Sequence, residues 1–275
     1  MEQLIQSPEI SLVAFTGSHV GGIAVQKAAS GRTIPVTLEL GGNDPAYVRG
    51  DVDLAWAAEE IVEGAVFNSG QSCCAIERVY VHELIYEEFC RKVVEVVSRY
   101  KLGDPRDPET LIGPVISVAA ASRIRADVQD ALSKGAKRLT PEVLFAAGES
   151  LAPTFVGIQI LKDCNHSMNI MTTETFGPTI PIMSVSSDEE AIELMNDSNL
   201  GLTASIWTKD VAKGEELVEK VEAGTVFVNR CDYPSPDLAW TGWKDSGRGV
   251  MLGRGGFEAF VKSRSFHLKD YPVGK

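Results

Sequence analysis

Positive charge is scarce in this sequence: 26 Lys and Arg stand against 38 Asp and Glu, a formal net charge of −12 over 275 residues. Nucleic acids and anionic membrane surfaces select basic patches, so neither partner class is expected. Apolar runs of membrane-spanning length are lacking too, and residues 1–8 have no basic region ahead of an apolar core. A cytoplasmic protein with no membrane segment is expected. The five cysteines, Cys73, Cys74, Cys90, Cys164 and Cys231, form no Cys-x-x-Cys pair. That spacing argues against a zinc site and a secreted disulfide framework, so no metal is expected and a reducing compartment is. With no repeats and no low-complexity segment, the 44% hydrophobic content belongs to one or two globular domains with real cores.

Strands and helices alternate in what is present. Residues 11–16 read as a strand, Gly17 to Gly22 as a glycine-rich turn, residues 23–30 as a helix and 35–40 as a second strand. This is one strand-helix-strand unit, whereas a complete dinucleotide-binding domain needs several strands, and none is expected before residue 11. Residues 53–67 read as an amphipathic helix capped by Asp51 or Asp53, 78–81 as a strand, and 86–100 and 118–134 as helices, the last closed by Gly135. Further on, strands at 180–185, 203–207 and 225–228 alternate with helices at 188–195 and 211–221, which predicts a largely parallel sheet.

Two stretches carry chemistry. Gly70-Gln71-Ser72-Cys73 places a thiol in a loop between a helix and a strand, where a reactive side chain can be presented. A lone cysteine is more often a packing residue. The odds shift because the strand ending at Leu38-Glu39-Leu40-Gly41-Gly42 carries a glutamate inside an apolar run, and a carboxylate there is costly unless it is paired or used. Glu39 precedes Cys73 by 34 positions.

Both stretches, in this order and spacing, resemble the paired active-site signature of the NAD(P)-dependent aldehyde dehydrogenase superfamily. The likeness continues through Phe15-Thr16-Gly17-Ser18, Glu174-Thr175-Phe176-Gly177-Pro178 and Lys244-Asp245-Ser246-Gly247. It covers essentially the whole chain, yet it resembles the C-terminal part of a family whose members usually run to nearly twice this length. The resemblance implies an α/β fold with a complete catalytic domain at 42–245 and a partial Rossmann-type cofactor domain at 1–41. Residues 246–275 would supply a helix returning to the cofactor domain and a strand, 263–268, through which the chain forms a homo-oligomer.

By the same resemblance, Cys73 is the nucleophile toward a small-molecule aldehyde and Glu39 the base that activates water. Thr16, Gly17, Ser18, Gly21, Leu40, Glu174 and Phe176 hold NAD or NADP, and Ser72, Cys231, Tyr233 and Trp240 line the substrate pocket. Cys74 is a packing residue. The family's CoA-dependent branch characteristically lacks the glutamate, so Glu39 implies hydrolysis to a carboxylic acid. Where the family usually has Pro-Phe-Gly-Gly, this chain has Ala239-Trp240-Thr241-Gly242, and Gly249 stands where the family has Glu. A non-catalytic relative acting as a binding or assembly subunit is the alternative reading, and the isolated chain is expected to be a poor dehydrogenase. A thiol-dependent acyl hydrolase would need a histidine base, and His82, His166 and His267 sit in no pairing motif.

Overall fold

The computed structural model describes residues 1–271. The first unit is a three-stranded sheet. Strand β1 (Val13–Thr16) runs parallel to β2 (Val36–Glu39), with Thr16 opposite Glu39. The helix between them spans His19–Ala29, four residues earlier at its start than the sequence suggested. Ser18 explains the difference: its hydroxyl caps the helix by accepting from Gly21 N at 3.2 Å, so Gly21 and Gly22 lie inside the first turns rather than in a loop. Gly22 is needed there, because a Cβ would stand 2.7 Å from the Leu40 side chain. Leu38 and Leu40 pack with Ile5, Val25 and Ala29 into a small core of their own.

The main sheet uses β3 (Asp44–Val48), β4 (Ile76–His82), β5 (Lys137–Arg138), β6 (Gln159–Lys162), β7 (Thr179–Val185), β9 (Thr203–Trp207) and β10 (Thr225–Val228); β8 (Leu200–Gly201) lies outside it. Its order is β10-β9-β3-β4-β7-β6-β5, parallel throughout except for the β5–β6 edge. Strand β3, unforeseen in the sequence, is central and buried at all five positions. Asp44 and Pro45 disguise it, and the ladder to β4 shifts register between these two residues, since proline brings no N–H to the ladder.

Helices cover both faces. Leu54–Val66 and Tyr86–Val97 pack one face around Ile61, Val79, Phe89 and Val93, as the spacing of apolar residues predicts. Of the two candidate caps for the first, Asp53 serves, accepting from Trp56 N at 3.2 Å. Asp51 instead accepts from Thr208, Lys209 and Asp210. Val118–Ser133, Asp188–Asn196 and Val211–Val218 cover the other face.

The chain then returns to the first unit. After β11 (Trp243–Lys244) pairs with β8, β12 (Gly247–Arg248) adds antiparallel to β2, with Gly247 opposite Glu39. The return is thus made by a strand, followed by a short 3-10 turn at Gly255–Phe260 in place of the expected α-helix. Residues 263–268, expected as a strand, are exposed and form no ladder with any described residue of the chain. Their apolar residues have no neighbouring sheet edge here to complete a ladder. Among the described residues no helix is long and apolar enough to cross a membrane.

Candidate active site

Cys73 follows a contorted turn. Asn68, Ser69 and Gly70 have φ of 51°, 59° and 71°, three successive residues in the left-handed region. Side chains hold this conformation. Asn68 and Gln71 exchange amide bonds with each other's carbonyls at 3.1 Å, and Ser69 Oγ donates to Gly113 O at 3.0 Å. Gln71 Oε1 also accepts from Ile116 N at 2.7 Å. Asparagine and glycine suit the left-handed region sterically, which accounts for the Asn-Ser-Gly-Gln sequence ahead of the thiol. Gly70 has no room for a side chain, since a Cβ would overlap the Gly177 carbonyl.

Glu39 ends β2 between Thr16 and Gly247, and the double glycine after it allows two close approaches. A Cβ on Gly41 would overlap the Glu174 carboxylate, and one on Gly42 would stand 2.6 Å from the Cys73 carbonyl. The thiol loop backbone and the Glu174 carboxylate therefore both press against the backbone that follows Glu39. They enclose a cavity of about 430 Å³ lined by Cys73, Glu39, Leu40, Gly41, Glu174 and Phe176, with Thr16, Gly17 and Ser18 from the first sheet and Arg123 from the helix Val118–Ser133.

Both Glu39 carboxylate oxygens are buried and without a geometrically acceptable hydrogen-bond partner. Burial pushes this carboxyl up to about 7, with the nearby Trp240 indole opposing. The indole makes no hydrogen bond to it, so burial sets the direction. Glu174 is raised to about 6 by burial, against the charge of Arg123 and the N–H of Gly42. The Cys73 thiol lies below its ordinary value, chiefly through Cys74 and against burial and the negative charges of Asp232 and Glu174. Cys74 is pushed well above the ordinary thiol range by the neighbouring Cys73 thiol, by burial and by Asp232, so it keeps its proton. That single S–H proton is donated to Asp232 Oδ1, 2.7 Å away. Burial raises Cys90, Cys164 and Cys231 to about 12.

The structure thus brings Cys73, Glu39, Thr16, Gly17, Ser18, Leu40, Glu174 and Phe176 to one cavity. Gly21 instead lies within the helix beside Phe15, where a Cβ would stand 2.8 Å from that ring. Of the residues expected to line a substrate pocket, Ser72, Cys231, Tyr233 and Trp240, none lines this first cavity. Cys231 and Tyr233 line a second cavity of about 460 Å³ with Glu60, Glu63, Phe67 and Asp232, which shares no lining residue with the first. Ser72 connects the thiol loop to it, donating to Asp232 Oδ1 at 3.0 Å. Trp240, packed against Cys74, Leu202, Cys73 and Met251 and held by backbone bonds to Met251, lines a third cavity of about 180 Å³ together with Tyr233. Larger as it is, the second cavity holds neither the thiol nor the unpartnered glutamate, so the chemistry belongs to the first.

The sequence reading missed Arg123, one charge on an ordinary amphipathic helix, which carries no signal until the fold turns it toward Glu174. Among the described residues no group of three or more His, Cys, Asp and Glu side chains could hold a metal. His166 is engaged elsewhere, its ring nitrogens 2.8 Å from the Tyr80 hydroxyl and 2.6 Å from Asp197.

Residues 1–266 match the model of the aldehyde dehydrogenase family. The chain belongs to that family. It is 32% identical over 272 residues to betaine aldehyde dehydrogenase of Bacillus subtilis, covering 99% of this chain and 56% of that protein. To succinate-semialdehyde dehydrogenase [NADP(+)] of Mycobacterium avium it is 35% identical, covering 100% of this chain and 57% of the relative. The crystal structure of Mycobacterium tuberculosis aldehyde dehydrogenase complexed with NAD+ superposes with a TM-score of 0.89 at 33% identity, over 98% of this chain and 56% of that one. The chain therefore spans about half the length of the relatives it matches.

Proposed function

We propose that this chain carries the nucleophile, the base and the nicotinamide-end contacts for NAD(P)-dependent oxidation of an aldehyde to a carboxylic acid. One observation carries the reading: Cys73 and Glu39, delivered by different sheets, line a single cavity with Glu174 and Phe176. The cavity suits a nicotinamide nucleotide, because its walls offer an aromatic ring, a carboxylate for a ribose and an arginine, and Ser18 opens an 11-residue helix beside it. A bound NAD or NADP would supply the hydride acceptor.

The chain's own residues do the rest. The Cys73 thiolate adds to the carbonyl carbon and forms a thiohemiacetal, with the Cys73 N–H as the proposed donor to its oxyanion. Once the carbon has lost hydride, Cys73 holds an acyl group as a thioester. Glu39 then takes a proton from water, the hydroxide adds to the thioester carbon, and the acid leaves with the thiolate restored. A carboxyl raised to about 7 is half ionised near neutral pH, which suits a base that must also release its proton. That the chemistry occurs in a reducing compartment such as the cytoplasm accords with five free cysteines.

The test is aldehyde-dependent reduction of NAD+ and of NADP+, followed by absorbance. Cys73→Ala should abolish it, and Glu39→Gln should leave a first burst and slow the steady state. Nucleotide binding without turnover would instead favour the binding-subunit reading. Self-association through residues 263–268 is part of the same proposal, and light scattering with and without that segment tests it.

A further inference from the structure

Glu77 lies on β4, four residues after Cys73, and is 3% exposed. Its Oε2 accepts from Asn43 Nδ2 at 3.0 Å and from Thr175 N at 2.9 Å, while Oε1 accepts from Phe176 N at 2.7 Å. These donors are neutral, and the charge that acts on Glu77 is the repulsive one of Glu174. Burying a carboxylate among neutral donors is costly, so the position asks what only a carboxylate provides. It provides acceptors alone: two oxygens take three converging N–H groups, whereas a glutamine would turn its own N–H₂ toward one of them.

The three donors are not scattered. Asn43 follows the double glycine after Glu39, and its amide also donates to Thr173 O at 3.2 Å. Thr175 and Phe176 are the two residues after Glu174, which lines the cavity, and Phe176 sits at φ 53°, a conformation that a bulky residue keeps only when its surroundings hold it. One buried side chain thus ties the Glu39 segment, the Glu174–Phe176 segment and, through β4, the Cys73 loop.

We propose that Glu77 is a positioning residue that fixes the Glu174–Phe176 segment against Cys73 and Glu39, so that the nicotinamide end of the cofactor is held beside the thiol. The inference rests on the reading of the cavity as a cofactor site. Glu77 touches neither cofactor nor substrate, and its loss should weaken nucleotide binding while leaving the thiol as reactive as before.

The test measures iodoacetamide labelling of Cys73 against increasing NAD+, NADP+ or nicotinamide mononucleotide, in the wild-type chain and in Glu77→Gln. The concentration giving half-protection should rise about fivefold or more, with the unprotected labelling rate held within about twofold. Glu77→Thr, which removes the buried charge and suits a strand, should shift protection the same way and covers the case in which Gln does not fold. Unchanged protection in both variants overturns the proposal and leaves the cofactor reading standing. Loss of basal labelling in step with protection also overturns it, because Glu77 would then be merely structural. A wild-type thiol protected by none of the three nucleotides would overturn the cofactor reading, and this proposal with it.

Discussion

Cys74 Sγ lies 2.7 Å from Asp232 Oδ1, so the thiol next to the nucleophile is bonded to a carboxylate that also takes the Ser72 hydroxyl. The Cys74 proton that goes to Asp232 is withheld from Cys73. Neutralising Asp232 weakens that acceptor and removes a negative charge that raises the Cys73 thiol. Asp232→Asn should therefore lower the pH midpoint for alkylation of Cys73, and in the wild-type chain Cys73 should react ahead of Cys74, Cys90, Cys164 and Cys231 at neutral pH. Peptide mapping after iodoacetamide reads both outcomes. Preferential labelling of Cys90 or Cys164, or a midpoint that moves upward in Asp232→Asn, would contradict this account.

Buried carboxyls make stability depend on pH; Asp44 is held well above the ordinary range by burial, and three others are raised into the range a melt can cross. Glu39 and Glu77 are raised to about 7 and Glu174 to about 6, in each case by burial first. The unfolded chain loses these protons near the ordinary carboxylate value, while the folded chain keeps them. Across that window the native state binds more protons, so stability falls as pH rises from about 5 to about 7 and then levels. For Glu77 alone the change is of order 3 kcal/mol at most, or several degrees in Tm. Exposed carboxyls such as Asp104 and Glu216, lowered to about 2, titrate below this range. Thermal melts should give a higher Tm at about pH 5 than at about pH 7.5, with a flatter slope in Glu77→Gln. A Tm that rises steadily over the same interval would contradict the assignment.

Gly70→Ala should destabilise the fold by roughly 2 kcal/mol or more, because it combines a left-handed φ of 71° with overlap on the Gly177 carbonyl, which is backbone and cannot swing aside. Chemical denaturation measures it. A change within about 0.5 kcal/mol, the range of an ordinary surface substitution, would show that the two loops are not pressed together as described.

What the sequence revealed and what it hid follow from how local each signal is. Cys73 and Glu39 were legible because each sits at an element end inside a short motif, and the parallel sheet was legible in the alternation of strands and helices. Strand β3 was hidden by Asp44-Pro45, a pair that reads as a turn until Thr203 is found donating to the Asp44 carboxylate. Ser18 concealed the start of its helix behind a run of glycines. Glu77 and Arg123 were illegible for a different reason: their partners, Phe176 and Glu174, lie far along the chain, and only the closed fold brings them together. The separation of Cys231 and Tyr233 from the thiol cavity is likewise set by packing, with Trp240 filling the space near Cys73.

The account stands or falls on an acyl group carried by Cys73. The measurement is intact mass and peptide mapping of Glu39→Gln after mixing with an aldehyde and NAD+ or NADP+, because a chain that forms the thioester but hydrolyses it slowly should accumulate it. The predicted result is a mass increase equal to the acyl group on the Cys73 peptide, lost when Cys73 is replaced by Ala. An adduct on another residue, or aldehyde oxidation that persists in Cys73→Ala, would contradict it.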